Sequence, residues 1–243
     1  HYAPHHFHRM FKATTGETVH SYVRRLRLER GAMQLKFGTQ SILDVALACG
    51  YQGHDTFTRA FGSRFGMSPS AYRTLMTPAS VEEGTIDIVA QAERSYVCAR
   101  HVGPYDEVGN AWSEVSAFMG QHRLFSRDTK SFGISWDDPD VTAVDRLRYD
   151  ACYTLLEGAP TPPAHLHVRT LPSGRWAKAT HIGPYKDISA VYVPMFAQWL
   201  PSRGLEPADH PAVEVYRNHH AADDDKVTDV YMLLKCDAAT AQG

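Results

Sequence analysis

Two groups of side chains in this 243-residue sequence have types and spacings that could do chemistry. The first forms two short polar stripes: His5, His8, Arg9 and Lys12, then His54, Asp55, Thr58, Arg59 and Ser63. Steps of one, three and four residues keep such side chains on a shared helix face. Cationic and hydrogen-bonding groups on one face suit a phosphate backbone and base edges, where arginine makes bidentate contacts. The histidines of the first stripe have no acidic or cysteine partner, so a metal centre is not expected. Asp55 could accept from a cytosine amino group, although capping its helix is the simpler role. The second group centres on Glu214 and Tyr216, which alternate with Val213 and Val215 and so share the opposite face of a strand. That face is either solvated or the floor of a pocket. A carboxylate buried among aromatic rings would attract a cation, because it stays unpaired until a ligand arrives. Trp112, Trp136, Tyr149, Tyr153, Trp176 and Tyr192 are candidate walls of such a pocket, or else ordinary core.

The elements that must position these groups come as two internal repeats. A shift of 50 positions superposes Phe7 on Phe57, Arg9 on Arg59, Phe11 on Phe61, Gly16 on Gly66 and Tyr22 on Tyr72. Each copy reads as a short helix with aromatic residues at i and i+4 on a buried stripe, closed by glycine. Before the second copy, Ser41-Ile-Leu-Asp44 resembles a capping box opening a short helix that ends near Gly50. A short helix, a glycine turn and a helix with a polar face make the plan of a helix-turn-helix. Val19, Tyr22, Val23, Leu26 and Arg30 predict a long helix linking the copies.

Thr77 to Gly84 has the composition of a linker, and beyond it the period changes. A shift of 80 positions superposes His101-Val-Gly-Pro-Tyr105 on His181-Ile-Gly-Pro-Tyr185. An alternating stretch precedes each motif and an amphipathic helix follows it. Two further strands then complete each copy, at Phe132 to Trp136 and Tyr149 to Leu155, and at Ala212 to Arg217 and Thr228 to Lys235. The expected pattern is β-α-β-β, twice. A histidine repeated beside a Gly-Pro turn reads as a structural hydrogen bond rather than an acid or base.

Charge separates the two halves. Residues 1–77 carry ten Lys and Arg against four Asp and Glu, a balance of +6, whereas the remainder carries −8. Only the first half is therefore expected to approach a polyanion. The four cysteines are scattered without a C-x-x-C pair, which argues against a zinc ribbon or a disulfide framework and for reduced thiols in a cytoplasmic protein. No apolar run approaches the roughly 18 residues of a membrane span, so no membrane partner is expected. The sequence begins without methionine, and its native start is expected to lie upstream.

The segments YVRRLRLER (22–30), ILDVALACGY (42–51) and FTRAFGSRFGMSPSAYR (57–73) resemble the AraC/XylS family of transcription regulators. The resemblance implies two helix-turn-helix units joined by a linker helix, whose polar helices enter successive major grooves. That family has two further helices ahead of the first recognition helix, so the first unit is expected to be incomplete here. The two H-x-G-P-Y turns, Arg148-Tyr-Asp-Ala-Cys152 and Val213-Glu-Val-Tyr216 resemble the GyrI-like effector-binding domain of multidrug-sensing regulators. That resemblance implies a groove for hydrophobic, often cationic compounds between two pseudo-symmetric units, with Glu214 as its central carboxylate. The expected organisation is an all-α DNA-binding domain over residues 1–77, a linker over 78–84 and an α+β small-molecule-binding domain over 85–237. The implied partners are double-stranded DNA, a small-molecule effector and RNA polymerase. No cofactor and no enzymatic activity are expected; the alternatives are a hydrolase using the same groove, or a constitutive DNA-binding protein whose second domain binds another protein.

Overall fold

The computed structural model describes residues 3–38, 40–76 and 86–236. The linker at 78–84, residue 237 at the expected domain end and the side chain of His5 lie outside the described residues. The chain divides into one unit over residues 1–79 and another over 80–243. Among the described residues no helix is long and apolar enough to cross a membrane.

The first unit is helical: α1 (Pro4–Thr15), α2 (Val19–Phe37), α3 (Ile42–Ala48), α4 (His54–Phe65) and α5 (Pro69–Met76). Local chemistry sets several of the ends. The Thr18 hydroxyl accepts from the Ser21 amide at 3.1 Å to start α2. The Ser41 hydroxyl accepts from the Asp44 amide at 3.1 Å and donates to the Asp44 carboxylate at 2.6 Å to start α3. Gly16 and Gly66 close α1 and α4 in the left-handed conformation, at φ 75° and 73°. Gly50, at φ 75°, makes the turn between α3 and α4, and a Cβ there would come within 3.1 Å of the Arg27 guanidinium.

The core joins Leu28, Ala32 and Leu35 of α2 to Val45 and Ala46 of α3, Phe57 and Phe61 of α4 and Tyr72 of α5. Beside it, buried Glu29 is neutralised by Arg25 at 3.0 Å and Arg64 at 3.6 Å. The expected equivalence of the two copies is incomplete. Phe57 and Phe61 are fully buried, whereas Phe7 is 49% exposed and Phe11 half-buried. Among the described residues Phe7 meets the rings of Phe11 and His8, whereas Phe57 also packs on Tyr51 from the turn after α3.

The second unit is one antiparallel sheet of eight strands: β1 (Ile86–Gln91), β2 (Arg94–Val102), β3 (Ser131–Ser135), β4 (Arg148–Thr154), β5 (Leu166–Leu171), β6 (Gly174–Ile182), β7 (Val213–Tyr216) and β8 (Val227–Leu233). The strand order is β1-β6-β8-β7-β3-β4-β2-β5. Both expected β-α-β-β copies are present, and each carries an additional edge strand. These edges are exchanged: β1 runs into β2 but pairs with β6, while β5 runs into β6 but pairs with β2. At the centre, β3 meets β7 through Phe132 opposite Val215, Gly133 opposite Glu214 and Ile134 opposite Val213. Gly133 faces Ala151 on β4 as Glu214 faces Val230 on β8, so the two are structurally equivalent and the pseudo-two-fold relating the copies passes through this pair.

Two helical segments cover one face of the sheet. Helix α6 (Gly109–Gln121) buries Ala111, Val115, Phe118 and Met119 against Val97, Ala99 and Ala151. Its counterpart is broken: α7 (Ser189–Val193) gives way at Pro194 to a π-helical stretch, Pro194–Trp199, and then to α8 (Leu200–Ser202). Proline lacks the amide that would continue the ladder, and a wider turn absorbs the loss. Met195, Trp199 and Leu200 from this segment pack on Ala177, Ala179 and Met232. The other face gathers Tyr96, Cys98, Phe132, Ile134, Cys152, Trp176 and Val213. His101 and His181 each donate from Nε2 to the carbonyl of the proline three residues on, at 2.9 and 3.0 Å, the structural role expected of them.

Candidate functional site

In the helical unit, His54, Asp55, Arg59 and Ser63 stand exposed on α4, and His8, Arg9 and Lys12 stand exposed on α1. Thr58 departs from the expected face: it is half-buried, and its hydroxyl is shut away from solvent without a hydrogen-bond partner. The expected capping role of Asp55 is also not what the structure shows. Gly53 occupies the N-cap with no side-chain bond, and the Asp55 side chain is 94% exposed within reach of His54. Its charge sits in the first turn, where a helix favours an anion. Several arginines of the basic unit are committed internally: Arg25 pairs with Glu17 and Glu29, Arg64 with Glu29, and Arg73 donates to the Gln40 carbonyl at 2.6 Å. Among the described residues, the basic groups with no such pairing on the two repeated faces are Arg9, Lys12 and Arg59. Arg59 makes a 3.4 Å bond to the Asp55 carbonyl.

In the sheet unit, Glu214 is only 7% exposed and projects from β7 toward the helices. Tyr192 on α7 donates to its Oε1 at 2.8 Å, Ser135 at the end of β3 donates to the same oxygen at 3.2 Å, and Tyr216 donates to Oε2 at 3.1 Å. Since the Tyr216 proton is directed at the carboxylate, Tyr149 donates to the Tyr216 oxygen at 2.9 Å. Both carboxylate oxygens are thus satisfied, but among the described residues no Lys or Arg pairs with the charge. Burial pushes the Glu214 carboxyl above its ordinary range, and the three hydroxyls with nearby His181 oppose that shift. Burial first, and the Glu214 charge next, hold Tyr149 and Tyr192 well above the usual phenol range, so they remain donors.

Gly133 makes the cluster possible. A Cβ at this position would collide with the hydroxyls of Tyr149 and Tyr216, which cross over the glycine on the pseudo-two-fold. Trp112 of α6 stands edge-on to Tyr216 at 5.8 Å and to Tyr153 at 5.6 Å. It occupies in the first copy the place that Tyr192 holds in the second. Beside these rings lies a cleft of about 320 Å³, lined by Trp112, Ser113, Ser116, Tyr153 and His219.

Six of the eight expected pocket residues therefore converge: Glu214, Tyr216, Trp112, Tyr149, Tyr153 and Tyr192. Two do not. Trp136 donates from Nε1 to Asp150 at 2.8 Å and lies under Arg100, Arg148 and Arg169, on the far face of the sheet. Trp176 is buried with Phe132 and Val213, again on that far face. Conversely, Ser135 and Gly133 belong to the site although their residue types did not single them out.

The GyrI-like small molecule binding domain family matches residues 84–235, and a helix-turn-helix domain family matches residues 1–74. "Probable transcriptional regulator YgiV" of Escherichia coli K12 is 32% identical over 108 residues, 44% of this chain and 68% of that protein. "Transcriptional regulator Rob" of Salmonella typhimurium is 40% identical over 72 residues, 30% of this chain and 25% of that protein, so the chain spans only a quarter of this relative's length. Among solved structures, the EcmrR C-terminal domain covers 63% of this chain and 98% of its own, with a TM-score of 0.51 at 12% identity. EcmrR in its complex with DNA covers 94% of this chain and 82% of its own, also with a TM-score of 0.51 at 12% identity. At that identity the likeness is one of fold.

Proposed function

The chain belongs to the GyrI-like small-molecule-binding family and carries an AraC-type helix-turn-helix domain ahead of it, a DNA-binding transcription regulator in class, and from that membership we propose that it couples sequence-specific DNA recognition to a lipophilic, cationic effector. In this reading α4 lies in a major groove, with Arg59 bidentate to guanine and His54, Asp55 and Ser63 on neighbouring base edges or phosphates. His5, His8, Arg9 and Lys12 on α1 address the adjoining groove. RNA polymerase is the partner through which bound protein alters transcription.

The observation that carries the sensor reading is the Glu214 carboxylate, buried and hydrogen-bonded by three hydroxyls yet unpaired in charge. A cation entering beside Trp112 and Tyr153 meets ring faces on the way and a desolvated negative charge at the end. It needs rotation of Tyr216 or Tyr192 to reach the carboxylate, so entry exchanges hydroxyl contacts for an ion pair. Both carboxylate oxygens are engaged as acceptors, which suits a binder, and this role rather than turnover is the one proposed.

The DNA half is tested with a site selected from random duplexes, by anisotropy on the full chain. Arg59→Ala is expected to lose about 1–3 kcal/mol on the selected site and much less on random duplex. An equal loss on both would make Arg59 a phosphate contact and remove it from base reading.

A further inference from the structure

The face of the sheet away from α6 and α7 has a cavity of its own, about 240 Å³, which no part of the Glu214 cluster reaches. Phe132, Trp176, Val213 and Tyr231 supply apolar walls, and the charged residues lining it are Arg94 and Lys130. None of its lining residues is acidic, and both cations are exposed without an ion pair among the described residues. Trp176 adds a second, independent observation. It is 2% exposed, and its indole Nε1 is buried with no hydrogen-bond partner, whereas Trp136 on the same face gives its Nε1 proton to Asp150. Buried donors are ordinarily satisfied, so an orphan beside a cavity calls for an acceptor.

We propose that this cavity is a second small-molecule site, selective for a small apolar carboxylate. An apolar cavity of about 150 Å³ takes up benzene, so this volume accommodates an aromatic ring or short alkyl chain with a carboxyl group attached. The apolar part lies against Phe132, Val213 and Tyr231. The carboxylate faces Arg94 and Lys130; the Trp176 Nε1 is closed off from the cavity in this conformation, so it donates to the ligand once the indole ring turns. The alternation of β7 keeps the two sites apart: Val213 and Val215 line this cavity, while Glu214 and Tyr216 point to the opposite face. One strand thus serves two sites of opposite charge preference. The proposal does not depend on what Glu214 binds.

The test is calorimetry on the full chain with 3-phenylpropionate, using 3-phenylpropionamide as the uncharged control. Saturable one-site binding of the acid is expected. The double variant Arg94→Gln/Lys130→Gln alters only exposed side chains; it should weaken the acid about tenfold and the amide less than twofold. Trp176→Phe, which keeps a ring but removes the donor, should weaken the acid as well, while Glu214→Gln leaves it unchanged. Absence of saturable binding would overturn the proposal. So would binding that survives both the double variant and Trp176→Phe, or that disappears with Glu214→Gln.

Discussion

Replacing Glu214 by Gln isolates charge from shape at the sensor site. The amide oxygen can accept from Tyr192 and Ser135 as Oε1 does now, at 2.8 and 3.2 Å. The amide nitrogen then donates to Tyr216, whose own proton turns to Tyr149, so the number of bonds within the cluster is kept and the Tyr149 proton alone gives up its acceptor. The ligand meets a site of the same shape without the charge. For a phosphonium centre held about 6 Å from the carboxylate by its phenyl shell, an effective dielectric of about 20 gives an attraction of about 3 kcal/mol. That corresponds to roughly two decades in Kd. Calorimetry should therefore show tetraphenylphosphonium weakened about 100-fold by Glu214→Gln, while neutral triphenylphosphine oxide binds as well or better, its phosphoryl oxygen no longer facing a carboxylate. Equal losses for both ligands would mean that the variant disturbs the rings. No loss for the cation would remove Glu214 from ligand recognition.

Two further consequences concern the same cluster. Gly133→Ala drives a methyl group into the hydroxyls of Tyr149 and Tyr216, and overpacking of this kind costs about 1–3 kcal/mol. Thermal melts should fall by roughly 2–10 °C, and an unchanged melting temperature would show that the phenols move aside freely. The raised Glu214 pKa sets a sign for pH dependence. On unfolding the carboxyl returns to its ordinary, lower pKa, so the unfolded chain releases its proton first and stability falls as pH rises from that value through the folded pKa. Melts across about pH 4 to 8 should show the advantage of Glu214→Gln over the parent growing as pH rises, and an advantage that shrinks would reverse the assignment.

Much of this architecture is legible in the sequence, for physical reasons that also mark where the reading stops. The 50- and 80-residue shifts expose both repeats because each copy needs the same ring, glycine or turn at the same place. Strand parity puts Glu214 and Tyr216 opposite Val213 and Val215, and the structure agrees. Parity within one strand does not reveal which face another strand shares with it. Trp136 and Trp176 looked equivalent to Trp112 by residue type alone. Only the register of Gly133 against Glu214 shows that Phe132, Ile134 and Trp136 lie on the far face. The edge strands Ile86–Gln91 and Leu166–Leu171 carry a weak signal because only Leu166 among their residues is buried, and because each pairs with the other copy rather than with its sequence neighbour. Gly133 left no such signal: the 80-residue shift sets it against Val213, and its place opposite Glu214 is seen only in the strand register, beneath the crossing of Tyr149 and Tyr216. Thr58 shares the helical spacing of Arg59 yet turns its hydroxyl inward, a rotation about the helix axis finer than residue spacing resolves.

The central claim, that occupancy of the Glu214 site governs transcription, is tested most directly by transcription with purified RNA polymerase from a promoter carrying the selected DNA site. With the parent protein bound, saturating tetraphenylphosphonium should change transcript yield by about 5- to 150-fold, the usual range of coupling between sites. With Glu214→Gln at the same cation concentration the change should vanish while the protein still occupies its DNA. Transcript yields from the parent protein that are identical with and without the cation, at a concentration shown by calorimetry to fill the site, would contradict the account.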